Sequence, residues 1–123
     1  MARFEIDGKE YELKLTYASV KHLNGMFENG QTELIGKAMA GDFETFLHVV
    51  HAGLFHTGEN ISFGDVEKAI EQGVDSGKYD LDYIYKTLNE VVSESFFYRK
   101  MTEKLLKASP KEATKALEMI LAE

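Results

Sequence analysis

Only one stretch of this chain alternates apolar and polar residues, and it turns back on itself. Residues 3–14 run Arg-Phe-Glu-Ile-Asp-Gly-Lys-Glu-Tyr-Glu-Leu-Lys. The central Asp7-Gly8 pair is a strong two-residue hairpin signal, because both positions tolerate positive φ. Such a turn pairs Ile6 with Lys9, Phe4 with Tyr11 and Ala2 with Leu13. Period-2 geometry then sets Phe4, Ile6, Tyr11 and Leu13 on one face, with Glu5, Glu10, Glu12 and Lys14 toward water. A lone hairpin is marginal in water, so this apolar face has to lie on helices or on another chain's strands.

Past the hairpin, the apolar residues recur at helical period. Thr16 can cap a helix carrying Tyr17, Val20, Leu23 and Phe27 that ends near Asn29-Gly30. A short helix over 32–40 follows, closed by Gly41. Asp42 can cap a third, with Phe43, Phe46, Leu47, Val50 and Leu54 on one stripe, broken by Thr57-Gly58-Glu59-Asn60. Ser62 with Asp65 three residues on reads as a capping box, and Ile61 and Val66 sit where a hydrophobic staple falls. Val66, Ala69, Ile70 and Val74 give that helix its buried face, and Asp75-Ser76-Gly77 turns the chain. The longest periodic stretch, 80–107, carries Leu81, Ile84, Leu88, Val91, Val92 and Phe96. Ser109-Pro110-Lys111-Glu112 starts a last helix with an apolar side of Ala113, Ala116, Leu117 and Ile120.

The expectation is an α+β fold, mainly α, with an N-terminal β-hairpin packed on about five or six helices. At 123 residues it is one domain: hairpin 3–15, helical part 16–108, and a more loosely attached terminal helix over 109–122. Eight Phe and six Tyr can build a core without staples, and the absence of Cys removes disulfides, thiolate metal sites and thiol nucleophiles. The first residues lack the apolar core of a signal peptide, and no apolar run approaches the roughly 20 residues of a membrane helix. With 21 acids against 14 scattered bases, the net charge of −7 opposes phosphate contact. A soluble intracellular protein that touches neither membrane nor nucleic acid is expected.

Chemistry has few places to reside. Glu44, His48 and His51 share a flank of the third helix, and one carboxylate with two imidazoles is a donor set for zinc or iron. The His-Val-Val-His spacing lacks the i, i+4 histidines and adjacent Glu of a zincin, so hydrogen-bonded imidazoles on a polar flank are expected, with no metal. His56 falls on another side of that helix, and His22 is expected to be exposed on a separate one. There is no Gly-x-Ser-x-Gly elbow and no phosphate-cradling glycine pattern. No catalytic residue, cofactor site or metal site is assigned.

The stretch 80–107 is more informative. In its first half the side opposite the main stripe carries Lys86, Glu90 and Glu94; in its second half it carries Phe97 and Met101, with Tyr98 and Leu105 beside them. A helix apolar all round is buried all round. Either the hairpin and terminal helix cover these residues, or Phe97, Tyr98, Met101 and Leu105 form a protein-interaction surface. The hairpin edge, with its unpaired backbone groups, is a second candidate for self-association.

Four stretches taken together resemble a known family. They are residues 4–17 (Phe-Glu-Ile-Asp-Gly-Lys-Glu-Tyr-Glu-Leu-Lys-Leu-Thr-Tyr), 34–42 (Leu-Ile-Gly-Lys-Ala-Met-Ala-Gly-Asp), 51–60 (His-Ala-Gly-Leu-Phe-His-Thr-Gly-Glu-Asn) and 89–98 (Asn-Glu-Val-Val-Ser-Glu-Ser-Phe-Phe-Tyr). In this order the chain, up to about Leu106, resembles the tail assembly chaperones of long-tailed bacteriophages, in the branch typical of phages of Gram-positive hosts. The resemblance implies a non-enzymatic protein of the host cell cytoplasm that coats the tape-measure protein, keeps it soluble and recruits tail-tube subunits. It further implies a homo-oligomer absent from the mature virion, and a longer form made by ribosomal frameshifting, of which this chain is the short version. The family shares no catalytic or ligand residues, so no residue role is carried over. A different class, a head–tail connector or adaptor retained in the virion, is the alternative. A third, a metal-dependent hydrolase built on Glu44, His48 and His51, would require bound metal.

Overall fold

The structure, a computed structural model, describes residues 2–95. Two strands, β1 (Arg3–Ile6) and β2 (Lys9–Glu12), precede five helices: α1 (Tyr17–Met26), α2 (Gly30–Met39), α3 (Phe43–Gly53), α4 (Phe63–Asp75) and α5 (Leu81–Glu94). A short 3-10 turn over Phe55–Thr57 joins α3 to the loop before α4. The α+β, mainly helical reading is therefore correct.

The hairpin forms in the expected register. Arg3 faces Glu12, Phe4 faces Tyr11, Glu5 faces Glu10 and Ile6 faces Lys9. Asp7 and Gly8 both take positive φ, 49° and 82°. The Leu13 N–H donates to Ala2 O at 2.9 Å and extends the pairing by one step. Phe4 and Leu13 are buried, and Ile6 and Tyr11 pack partly against the core. The hairpin lies on α4 and is tied to the end of α3 by the Lys14 N–H to Gly53 O bond of 3.0 Å. Gly53 serves a close approach here: a Cβ would stand 3.3 Å from the Leu13 side chain.

Helix starts follow the capping chemistry of the sequence. Thr16 Oγ1 and Ser19 cap α1 reciprocally, the Asp42 carboxylate accepts from Thr45 N–H at 3.0 Å, and Ser62 and Asp65 form the capping box of α4. The Asp80 carboxylate accepts from Tyr83 N–H at 2.8 Å to start α5. α3 is central and packs against α1, α2, α4 and α5. Its Phe46, Val49 and Val50 meet Leu23, Leu34, Ile35, Val66, Ile70 and Leu88 in one core.

Four stripe positions are exposed. Tyr17 and Leu81 are 82% exposed, Phe43 44% and Val74 41%. Tyr17, Phe43 and Leu81 are the first residues of their helices, and Val74 lies in the last turn of α4. Periodicity fixes the direction of a side chain around the axis, not how far along the axis the neighbouring elements reach. Opposite the hairpin, Gly73 takes the core position on α4, and the Tyr79 ring lies over it.

The helix expected over 80–107 stops at Glu94, because Ser95 has extended backbone (φ −69°, ψ 122°). Ser93 and Ser95 flank the stop, and Ser93 Oγ bonds back to Glu90 O at 3.4 Å. Serine side chains compete for backbone groups in this way and weaken a helix end. Phe96, the surface of Phe97, Tyr98, Met101 and Leu105, and the terminal helix over 109–122 lie outside the described residues.

Candidate functional site

The flank of α3 on which hydrogen-bonded imidazoles were expected is an aromatic stack. The His48 ring lies parallel to Phe63 with centroids 4.9 Å apart. His51 stands edge-on to Phe55 at 5.1 Å, and to Phe63 at 5.7 Å. The exposed His22 of α1 closes the group against Phe55 at 5.2 Å and His51 at 5.9 Å. Glu44 reaches His48 only through its field. Among the described residues no group of three or more His, Cys, Asp or Glu is placed to hold a metal ion. His56 turns away and bonds Glu12 O at 2.7 Å, linking the 3-10 turn to the hairpin.

Burial pushes both imidazole pKa values down from the ordinary 6.5, partly opposed by Glu44 at His48 and by a hydrogen bond to the Ile61 backbone at His51. Neither buried Nδ1 has a hydrogen-bond partner among the described residues. A neutral ring is thus the form that fits. A group whose pKa is depressed by folding contributes full stability above its unfolded value and loses it as the pH falls through about 6.5 toward the folded value. The melting temperature should therefore drop between pH 7.5 and pH 5.5, and the double variant His48→Gln, His51→Gln should show a shallower drop. Equal slopes in the two proteins would remove these rings as the cause.

The hairpin edges are guarded by charge. No further strand pairs with β1 or β2 among the described residues. Lys78 reaches Glu5 at 3.0 Å and Lys9 reaches Glu59 at 2.9 Å, each joining the hairpin to a loop. Exposed pairs of this kind add little stability, but lysine along an edge discourages strand addition.

A different surface is open. Between α3 and α4 runs a groove of about 300 Å³ with Phe43, Leu47, Ile70 and Val74 as its apolar lining. Glu44, Glu67, Glu71 and Asp75 rim it. Leu47 and Ile70 are buried at its base, while Phe43 and Val74 form its exposed lips. Sequence reasoning placed both lips in the core. The available signal was on α4, where Glu67 and Glu71 each stand three residues before an apolar position, Ile70 and Val74. That spacing sets carboxylates beside an apolar strip on one helix surface.

No helix among the described residues is long and apolar enough to cross a membrane. A family model described as phage tail assembly chaperone protein, TAC, matches residues 3–107. No curated protein and no solved structure matches the chain.

Proposed function

The chain belongs to the phage tail assembly chaperone family, matched over residues 3–107, and from that premise we propose that it binds the phage tape-measure protein and keeps it soluble while the tail is built. The family match carries the reading. The groove described above supports it, because the apolar side chains of Phe43 and Val74 stand partly in water there beside each other. Clustered apolar groups on a protein surface mark contact sites for other proteins. The long helices expected of a tape-measure protein aggregate until such a surface covers them.

In this reading the protein acts by binding, without catalysis or cofactor, as a homo-oligomer in the host cytoplasm. A longer frameshifted form brings the tail-tube subunits, and neither form remains in the mature virion. The residues 97, 98, 101 and 105 (Phe, Tyr, Met and Leu) supply an adaptable apolar contact surface. Co-expression with the tape-measure protein of the same phage tests the proposal. The tape-measure protein should move from the pellet to the soluble fraction and co-purify with this chain. Equal solubility without the chain would overturn the reading, and finding the chain in purified virions would favour a connector instead.

A further inference from the structure

We propose that the groove between α3 and α4 selects one kind of partner segment, an amphipathic helix whose apolar ridge is flanked by lysines or arginines. The inference deepens the proposed function and rests on it, since it names the chemistry by which the tape-measure protein is held. The walls of the groove decide the shape of the occupant. Both are helical, and each offers apolar residues four apart: Phe43 and Leu47 on α3, Ile70 and Val74 on α4. Four residues rise about 6 Å, close to one helical turn. That repeat matches the i, i+4 ridge of a third helix, as ridges fill grooves when helices pack. An extended strand finds no such match, because backbone groups inside a helix are already paired within it. Leu47 and Ile70 are covered at the base, so the lips Phe43 and Val74 make the new apolar contact.

The rim decides the charge. Glu67, Glu71 and Asp75 stand four apart along α4, over about 12 Å, beside the strip of Ile70 and Val74. Glu44 stands on the α3 wall. None of these carboxylates forms an ion pair with a described residue. Lys68, the one base on α4, lines a different cavity on the hairpin side. Through residue 95 the chain holds 17 acids and eight bases, so the surrounding field adds to that of the rim.

Apolar contact alone does not choose between helices, but a carboxylate row does. An acidic helix laid in the groove sets like charges side by side, whereas a basic one is drawn in. Two copies of the groove cannot face each other for the same reason. The three carboxylates on α4 against one on α3 also set the orientation, with the more basic edge of the partner helix toward α4. Glu67, Glu71 and Asp75 are exposed, so their pairs with a partner stay screened by solvent and salt. The grip is therefore selective and reversible, which suits a cover that is shed when the tail is complete.

Two synthetic peptides of about 18 residues, long enough to hold a helix, are the probes. One has a leucine face flanked by lysines; the other is identical with glutamate for every lysine. Fluorescence anisotropy at physiological ionic strength reads their binding to four full-length proteins, each verified as folded by circular dichroism. These are the native chain, Glu67→Lys with Glu71→Lys, Phe43→Ser with Val74→Ser, and a control, Glu10→Lys with Glu28→Lys, that changes the same charge away from the groove. The native chain is expected to bind the lysine peptide at least about tenfold tighter than the glutamate peptide. Reversal at 67 and 71 should invert that preference, the serine pair should weaken the lysine peptide about tenfold, and the control should keep the native preference. Equal affinity for both peptides, an inversion by the control, or no loss with the serine pair overturns the proposal. So does a 67 and 71 variant that changes the sedimentation of the protein but not peptide binding, since a second copy is then the occupant. Co-expression of the same variants with the tape-measure protein keeps the two readings apart. A native chain that prefers the lysine peptide yet leaves the tape-measure protein in the pellet supports the groove's selectivity and overturns the proposed partner. A 67 and 71 variant that solubilises the tape-measure protein as well as the native chain does overturns the groove as its site and leaves the proposed function standing.

Discussion

Replacing Phe4 with Ala should remove about 3–5 kcal/mol of stability, the usual cost of deleting a fully buried phenyl ring. Phe4 is 1% exposed and stacks on Tyr79 with centroids 5.5 Å apart. Tyr79 stacks in turn on Tyr83 at 4.6 Å, so one β-strand residue anchors a column of three rings between the hairpin, the loop after α4, and α5. Few other contacts hold the hairpin. Leu13 is buried, the Tyr83 hydroxyl donates to Arg3 O at 3.3 Å, the Lys14 N–H donates to Gly53 O at 3.0 Å, His56 bonds Glu12 O at 2.7 Å, and exposed ion pairs add the rest. A domain of this size has only about 5–15 kcal/mol in total, so the melting temperature should fall by roughly 10–20 °C. Thermal and urea unfolding followed by circular dichroism would measure it. A loss under about 1 kcal/mol would mean that the hairpin does not rest on the helices as described.

Gly73→Ala should also destabilise, although alanine is the better helix former. In an open helix the change gains about 0.5–1 kcal/mol. At Gly73 an added Cβ would overlap the Tyr79 ring at Cδ2, Cε2 and Cγ. The ring has no retreat, since Phe4 and Tyr83 hold it and its own N–H donates to Gly73 O at 3.0 Å. Overpacking a site this tight costs about 3 kcal/mol, which outweighs the propensity gain. Gly25→Ala on α1 is the matched control. Nothing lies within 4 Å of its added Cβ, so stability there should rise by roughly 0.5–1 kcal/mol. The same substitution thus takes opposite signs at two helical glycines, and a rise at both in chemical denaturation would refute the packing of Tyr79 on α4.

The contrast between these positions shows what local chemistry encodes. The hairpin register followed from Asp7-Gly8 and strict alternation, and the helix starts from Thr16, Asp42 and Ser62, because turn and cap geometry is decided within a few residues. The exposure of Phe43 and Leu81 was not legible, since it depends on where a distant helix ends. Nor was the role of Gly73, which needs a ring six residues later to fold back over it. The early end of α5 was signalled only weakly, by the pair Ser93 and Ser95 within an otherwise unbroken apolar period. The groove was hidden for a related reason: its lips on α3 and α4 look like core positions until the two axes are laid side by side. Glu44, His48 and His51 share a flank as their spacing indicated, but the expectation of hydrogen-bonded imidazoles on a polar flank did not anticipate that Phe55 and Phe63 would stack on the rings.

The three-ring column also orders events during synthesis. Phe4 leaves the ribosome before its cover, Tyr79, which is made 75 residues later. At cellular elongation rates the interval is roughly 4–15 s. Through that time the hairpin can form its turn, but its apolar face stays wet. A nascent chain halted before Tyr79 lacks the residue that closes this face, and ribosome-bound fragments ending there should be far more sensitive to protease at Phe4 than fragments that include α5.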